Sequence, residues 1–146
     1  MNFLYLFPKP NKTYPIRDEE FVIQELINEN HSVIKINNFY LLKIIYFISF
    51  YKIDAIIFSS LNIGKKNISF LKRLNKPLFW WYFDSANTDK KRLKSVIKVA
   101  KHSTIFFNRD KINFSKYTKL GINPVWLDQG APNIINKKHN LNNFKY

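Results

Sequence analysis

A chain of 146 residues with 46% hydrophobic and 17% aromatic content is long enough for one cored domain and too apolar for a disordered polymer. It holds no cysteine, which excludes a disulfide framework, a thiolate metal site and a cysteine nucleophile, and fits a reducing compartment. The net charge of +14 is lopsided: residues 1–59 carry six Lys/Arg against six Asp/Glu, and residues 60–146 carry eighteen against four. A basic half invites an anionic neighbour, whether a phosphate-bearing ligand, nucleic acid or anionic lipid. Lysine outnumbers arginine by twenty to four. That bias also follows from AT-rich codons, and nucleic-acid surfaces lean more on arginine.

The hydrophobic period keeps switching along the chain. Asn2–Phe7 predicts a strand, and Pro8–Pro15 a loop bearing Lys9, Lys12 and Thr13. Asp18-Glu-Glu20 opens a helix whose apolar face is Phe21, Val22, Leu26 and Ile27. Ser32–Ile36 is a short strand, and Tyr40–Tyr51 a very apolar helix. The longest apolar stretch, Phe39–Tyr51, contains Lys43 and falls short of the ~20 residues that span a bilayer. Ile53–Phe58 is a third strand, ending on Ser59 and Ser60, and Ile68–Asn75 a short helix or turn. Pro77–Phe83 runs apolar without a charge and stops on Asp84, as a strand buried on both faces does.

A helix capped by Thr88 or Asn87 runs to about Lys101. Leu93, Val96, Ile97 and Ala100 form its apolar face, and lysines with Arg92 the other. Ser103–Phe107 is the fifth strand, Lys111–Leu120 a helix with Gly121 at its C′ position, and Asn123–Leu127 the sixth strand. The tail from Asn133 is polar. This alternation predicts an α/β, Rossmann-like doubly wound parallel sheet in the order 3-2-1-4-5-6, with helices on both faces. Residues 1–132 form the domain, and residues 133–146 a polar tail or the start of a linker.

Glycine-rich nucleotide signatures, G-x-S-x-G and H-E-x-x-H are missing, and His31, His102 and His139 lack ligand spacing. What remains is a row of polar groups at strand carboxyl ends, where open parallel sheets bind ligands. They are Lys9, Lys12 and Thr13; Ser59 and Ser60; Asp84 and Ser85; Asn108, Arg109 and Asp110; and Asp128, Gln129 and Gly130. For Asp84 and Asp110 the competing role is to cap the helices that follow. Trp80, Trp81 and Tyr82 are expected, at least alternately, in the core of a central strand.

Three segments carry a family resemblance. They are Trp80-Trp-Tyr-Phe-Asp84 before a basic helix; Ala100-x-x-Ser-Thr-Ile-Phe-Phe-Asn-Arg-Asp110; and Tyr117-x-x-x-Gly121 leading to Val125-Trp-Leu-Asp-Gln-Gly-Ala131. This resembles the amino-terminal half of GT-B glycosyltransferases, closest to the spore-maturation-protein-B-like and group 1 families. It covers residues 53–132, and the first 50 residues by topology. The resemblance implies transfer of a sugar from a nucleotide-sugar donor to an acceptor hydroxyl, with Asp84 catalytic. Substrate would then be bound by Ser85, Asn108, Arg109, Asp110, Gln129 and Gly130, the positions the resemblance carries over, with Lys9, Lys12, Thr13, Ser59 and Ser60 added from the strand ends.

Neither cofactor nor metal is expected; the nucleotide-sugar enters as substrate. Family members are about twice this length, so a further domain or chain is expected to supply the donor site. The expected location is cytoplasmic, with peripheral contact at the inner face of an anionic membrane. From another class, a non-catalytic basic binding module for nucleic acid or an anionic membrane surface fits the same charge.

Overall fold

The structure, a computed structural model, describes residues 1–7, 18–37, 40–59, 65–82 and 89–126. Every connection joins parallel strands, and all but β2 to β3, which passes over β1, join neighbours in the sheet. The chain runs β1 (Asn2–Phe7), α1 (Asp18–Asn28), β2 (Ser32–Asn37), α2 (Leu41–Phe50), β3 (Ala55–Phe58) and α3 (Lys65–Arg73). It continues through β4 (Leu78–Tyr82), α4 (Lys90–Ala100), β5 (Ile105–Asn108), α5 (Phe114–Lys119) and β6 (Pro124–Trp126). All six strands form one parallel sheet, so the Rossmann-like α/β class read from the alternation of periods is the architecture found.

The strand order is β2-β1-β3-β4-β5-β6, not the expected 3-2-1-4-5-6. Burial explains the difference. β3 is Ala-Ile-Ile-Phe, buried at every position; such a strand needs neighbours on both sides. β2 carries the exposed Lys35, paired with Glu20 of α1 at 3.1 Å, and a lysine of this kind marks an edge. Placing β2 inside and β3 at the rim would have buried the lysine and bared the apolar strand.

Strand order then dictates the helix layers. Right-handed crossovers put α1 on one face, because β1 to β2 runs one way along the sheet. They put α2, α3, α4 and α5 together on the other face, because every later step runs the opposite way. The two packed clusters match this division. The larger joins Leu4, Ile56, Phe58, Trp80 and Phe106 to Ile44 of α2, Leu71 of α3, Val96 of α4 and Tyr117 of α5. In its centre Trp80 is fully buried, stacked on Phe58 at 5.9 Å and on Phe106 at 4.8 Å between ring centroids. The smaller cluster sets Ile23 and Leu26 of α1 on Phe3, Tyr5, Ala55 and Ile57. The inward face of α1 is thus built on Ile23 and Leu26, while Ile27, expected inside, is 47% exposed.

With α1 lying over β1–β3, no described helix covers β4–β6 on that side. β4 alternates between buried and half-buried positions, so Trp80 and Tyr82 are core while Phe79 and Trp81 are not fully covered. The apolar run at 77–83 had implied burial on both faces. The half-covered row consists of Phe79, Trp81 and Phe107, with Phe107 in ring contact with each of the other two.

Asn30 and Gly121 end their helices in the left-handed region, at φ 62° and 73°. In each case the next amide reaches back across the last turn, His31 to the carbonyl of Leu26 and Ile122 to that of Tyr117. Gly121 holds the C′ place its sequence position predicts.

Candidate functional site at the carboxyl edge of the sheet

Of the polar groups predicted along this edge, Ser59, Asn108, Arg109 and Asp110 are described. Asp84, Lys9, Lys12, Thr13, Ser60, Ser85, Asp128, Gln129 and Gly130 lie outside the described residues. The four that can be placed fall into two groups with different chemistry.

Ser59 stands at the point where the chain reverses its direction of winding. That point is the crevice between β1 and β3, since β2 lies to one side of β1 and every later strand to the other. The Ser59 amide donates to the carbonyl of Leu6 at 3.3 Å, continuing the β1–β3 ladder. Its hydroxyl donates to Glu19 Oε1 at 2.9 Å. Glu19 is 3% exposed, in the first turn of α1, where the positive end of the helix dipole favours a carboxylate. A buried carboxylate holding a half-exposed hydroxyl at the switch point is a polar pair suited to orienting a ligand hydroxyl or accepting a proton from it. In the sequence Glu19 is only part of an acidic first turn. Its signal was the strand order, which alone brings position 19 to the end of β3.

At the end of β5 the arrangement is inward. Asn108 and Asp110 are 2% and 3% exposed. Asn108 Oδ1 accepts the amide of Asp110, and its Nδ2 donates to the Tyr82 carbonyl at 3.4 Å, tying β5 to β4. Asp110 Oδ1 accepts the Asn113 amide at 3.3 Å and Oδ2 accepts Asn113 Nδ2 at 2.8 Å. The Tyr117 hydroxyl reaches Oδ2 at 3.5 Å. Asp110 therefore holds the turn that feeds α5, the capping role weighed against ligand binding for this residue. Burial, with the nearby Asp110 charge and hydrogen bond adding to it, pushes the Tyr117 phenol well above its ordinary range, so it stays a donor. Arg109 between them is exposed.

A third group was not anticipated. Arg92, in the first turn of α4, donates through Nε to the Tyr82 hydroxyl at 2.7 Å, with its guanidinium 5.8 Å from the ring centroid. α4 is capped by Asp89, one residue later than Thr88, its side chain accepting the Lys91 amide at 2.8 Å. The cation at the end of β4 is thus fixed by its neighbour's phenol.

Fold and edge together define a Rossmann-like α/β protein with its polar crevice at the β1/β3 switch point. No protein-family model, no curated protein and no solved structure matches the chain.

Proposed function

We propose that the chain is the acceptor-side half of a GT-B glycosyltransferase. The observation that carries this reading is the Glu19–Ser59 pair at the β1/β3 crevice of an all-parallel sheet, where this architecture binds ligands. In the proposed reaction the acceptor hydroxyl attacks the anomeric carbon of a nucleotide-sugar. The new glycosidic C–O bond forms as the sugar–phosphate bond breaks. The hydroxyl proton passes to a carboxylate, and the nucleotide diphosphate leaves with the bonding electrons. Asp84 is the proposed base. Ser59, held by Glu19, orients the acceptor, and Arg109 with Lys9 and Lys12 offsets phosphate charge. The donor is bound mainly by a second domain or chain.

Ligand-detected magnetic resonance with a panel of glycosides and nucleotide-sugars tests this. Saturable binding of an acceptor glycoside that weakens in both Glu19→Gln and Ser59→Ala is the expected result. Sugar transfer should appear only when a donor-binding half is added, and should be lost in Asp84→Asn. Glycoside binding unaffected by either substitution would sink the reading. A second reading, a nucleic-acid-binding module, is favoured by four helices without a carboxylate. It requires duplex binding that falls steeply with salt.

A further inference from the structure

We infer that the outer surface of the α2–α5 layer docks on an anionic lipid bilayer, with α2 lying in the interface. This does not depend on glycosyl transfer.

α2 is the first observation. Its sequence, Leu-Leu-Lys-Ile-Ile-Tyr-Phe-Ile-Ser-Phe, has a single charge. Ile44 is fully buried, with Phe47 and Ile48 packed beside it on the core. The opposite side of the helix should be polar, yet Leu42 is 83% exposed, Phe50 73%, Tyr46 51% and Ile45 44%. Tyr46 and Phe50 lie against each other at 4.7 Å between centroids, extending one apolar strip along the outside of the helix. Contiguous exposure of this kind marks an interaction surface.

The charge on the same layer identifies the partner. α2, α3, α4 and α5 carry one, four, five and two Lys/Arg respectively, and none of the four contains Asp or Glu. α1, on the opposite face, contains Asp18, Glu19, Glu20 and Glu25 and no base. The sheet therefore separates charge by face. Lys72 of α3 and Lys98 of α4 both act on His102, so charge from two neighbouring helices reaches one residue.

An apolar strip beside a basic field, in which Asp89 at the α4 cap is offset by five Lys/Arg of that helix, is the pair of signals that holds an interfacial helix on an anionic membrane. A second copy of the chain fits poorly, because a twofold contact through this face would oppose two basic fields. Nucleic acid leaves Leu42 and Ile45 without a role, since aliphatic side chains do not stack on bases. Ten residues of helix extend about 15 Å, and no described helix is long and apolar enough to cross a membrane. α2 lies on the bilayer rather than through it.

Vesicle flotation of the full chain tests this, with phosphatidylcholine alone and with phosphatidylcholine mixed with phosphatidylglycerol. Binding to the anionic vesicles is expected to exceed binding to neutral ones by at least about tenfold. Lys90→Glu with Lys94→Glu and Lys98→Glu should remove that preference. Leu42→Ser with Phe50→Ser should weaken the binding that survives at high salt by a similar factor. Circular dichroism must show both variants folded; Lys116→Glu with Lys119→Glu substitutes for the first set if it is not. The inference is overturned by equal binding to both vesicle types, or by none. It is also overturned by duplex DNA binding that outcompetes anionic vesicles at the same salt, or by a dimer that Leu42→Ser with Phe50→Ser dissolves.

Discussion

Asp110 shows how a residue can look like a ligand contact and serve the fold. Its carboxylate accepts from the Asn113 amide, the Asn113 side chain and the Tyr117 hydroxyl while 3% exposed. Replacing it with alanine leaves those donors buried and unfixes the turn into α5. Asp110→Ala should cost about 2 kcal/mol, read as a fall of about 5 °C in Tm. An unchanged Tm would mean that the carboxylate is free for a ligand after all.

His102 is a second residue whose surroundings set its behaviour. Burial lowers its pKa, with Lys72 and Lys98 adding to the effect, and Nδ1 is buried without a hydrogen-bond partner in the structure. The unfolded chain therefore binds the proton more readily. The penalty is absent above about pH 6.5, grows as pH falls through that value, and levels off below the native pKa. His102→Gln should flatten that part of the Tm-versus-pH curve; a variant as acid-sensitive as the parent would remove His102 as the cause. The sequence offered capping as one of two roles for Asp110 and nothing on the surroundings of His102. Strand ends can be located by periodicity, but whether a side chain there turns inward depends on the turn it meets.

Elements were more legible than residues, because period and punctuation are local. β1 spans Asn2–Phe7 as expected, and Gly121 closes α5 as predicted. An ideal Cβ at Gly121 meets nothing within 4 Å, so the cost of a side chain there is purely the positive φ. Gly121→Ala should lose about 1 kcal/mol in denaturant unfolding, with an unchanged m-value. A neutral result would show that α5 closes by another route. The order of the strands was the part misread. Lys35 in β2 and the wholly apolar Ala55–Phe58 of β3 did encode it, as edge and interior. In the order 3-2-1-4-5-6 the switch point would fall at β1/β4, away from the β1/β3 crevice where Glu19 meets Ser59. The half-covered face of β4 follows from the same order, since a single early reversal leaves α1 the only described helix on its side.

At the scale of the whole molecule, the separation of charge by face has a mechanical cost. In α4, Lys94 stands one turn from Lys90 and one turn from Lys98, and like charges at that spacing repel. α3 and α5 add more positive charge to the same layer, and the net charge of +14 extends the repulsion through the surrounding solvent. Screening length falls from ~30 Å at 0.01 M salt to ~8 Å at 0.15 M, so the native state should gain Tm over that range. Lys94→Glu converts two repulsions into two attractions and should stabilise by about 1 kcal/mol at the lower salt, or about 3 °C. The gain should shrink as salt is added. If the substitution is neutral at low salt, the lysines of α4 do not sense one another and the layer is not electrostatically loaded. If it stabilises the fold while weakening attachment to anionic vesicles, one side chain will have been shown to oppose folding and favour binding. A surface shaped by solvation alone has no reason to keep such a lysine.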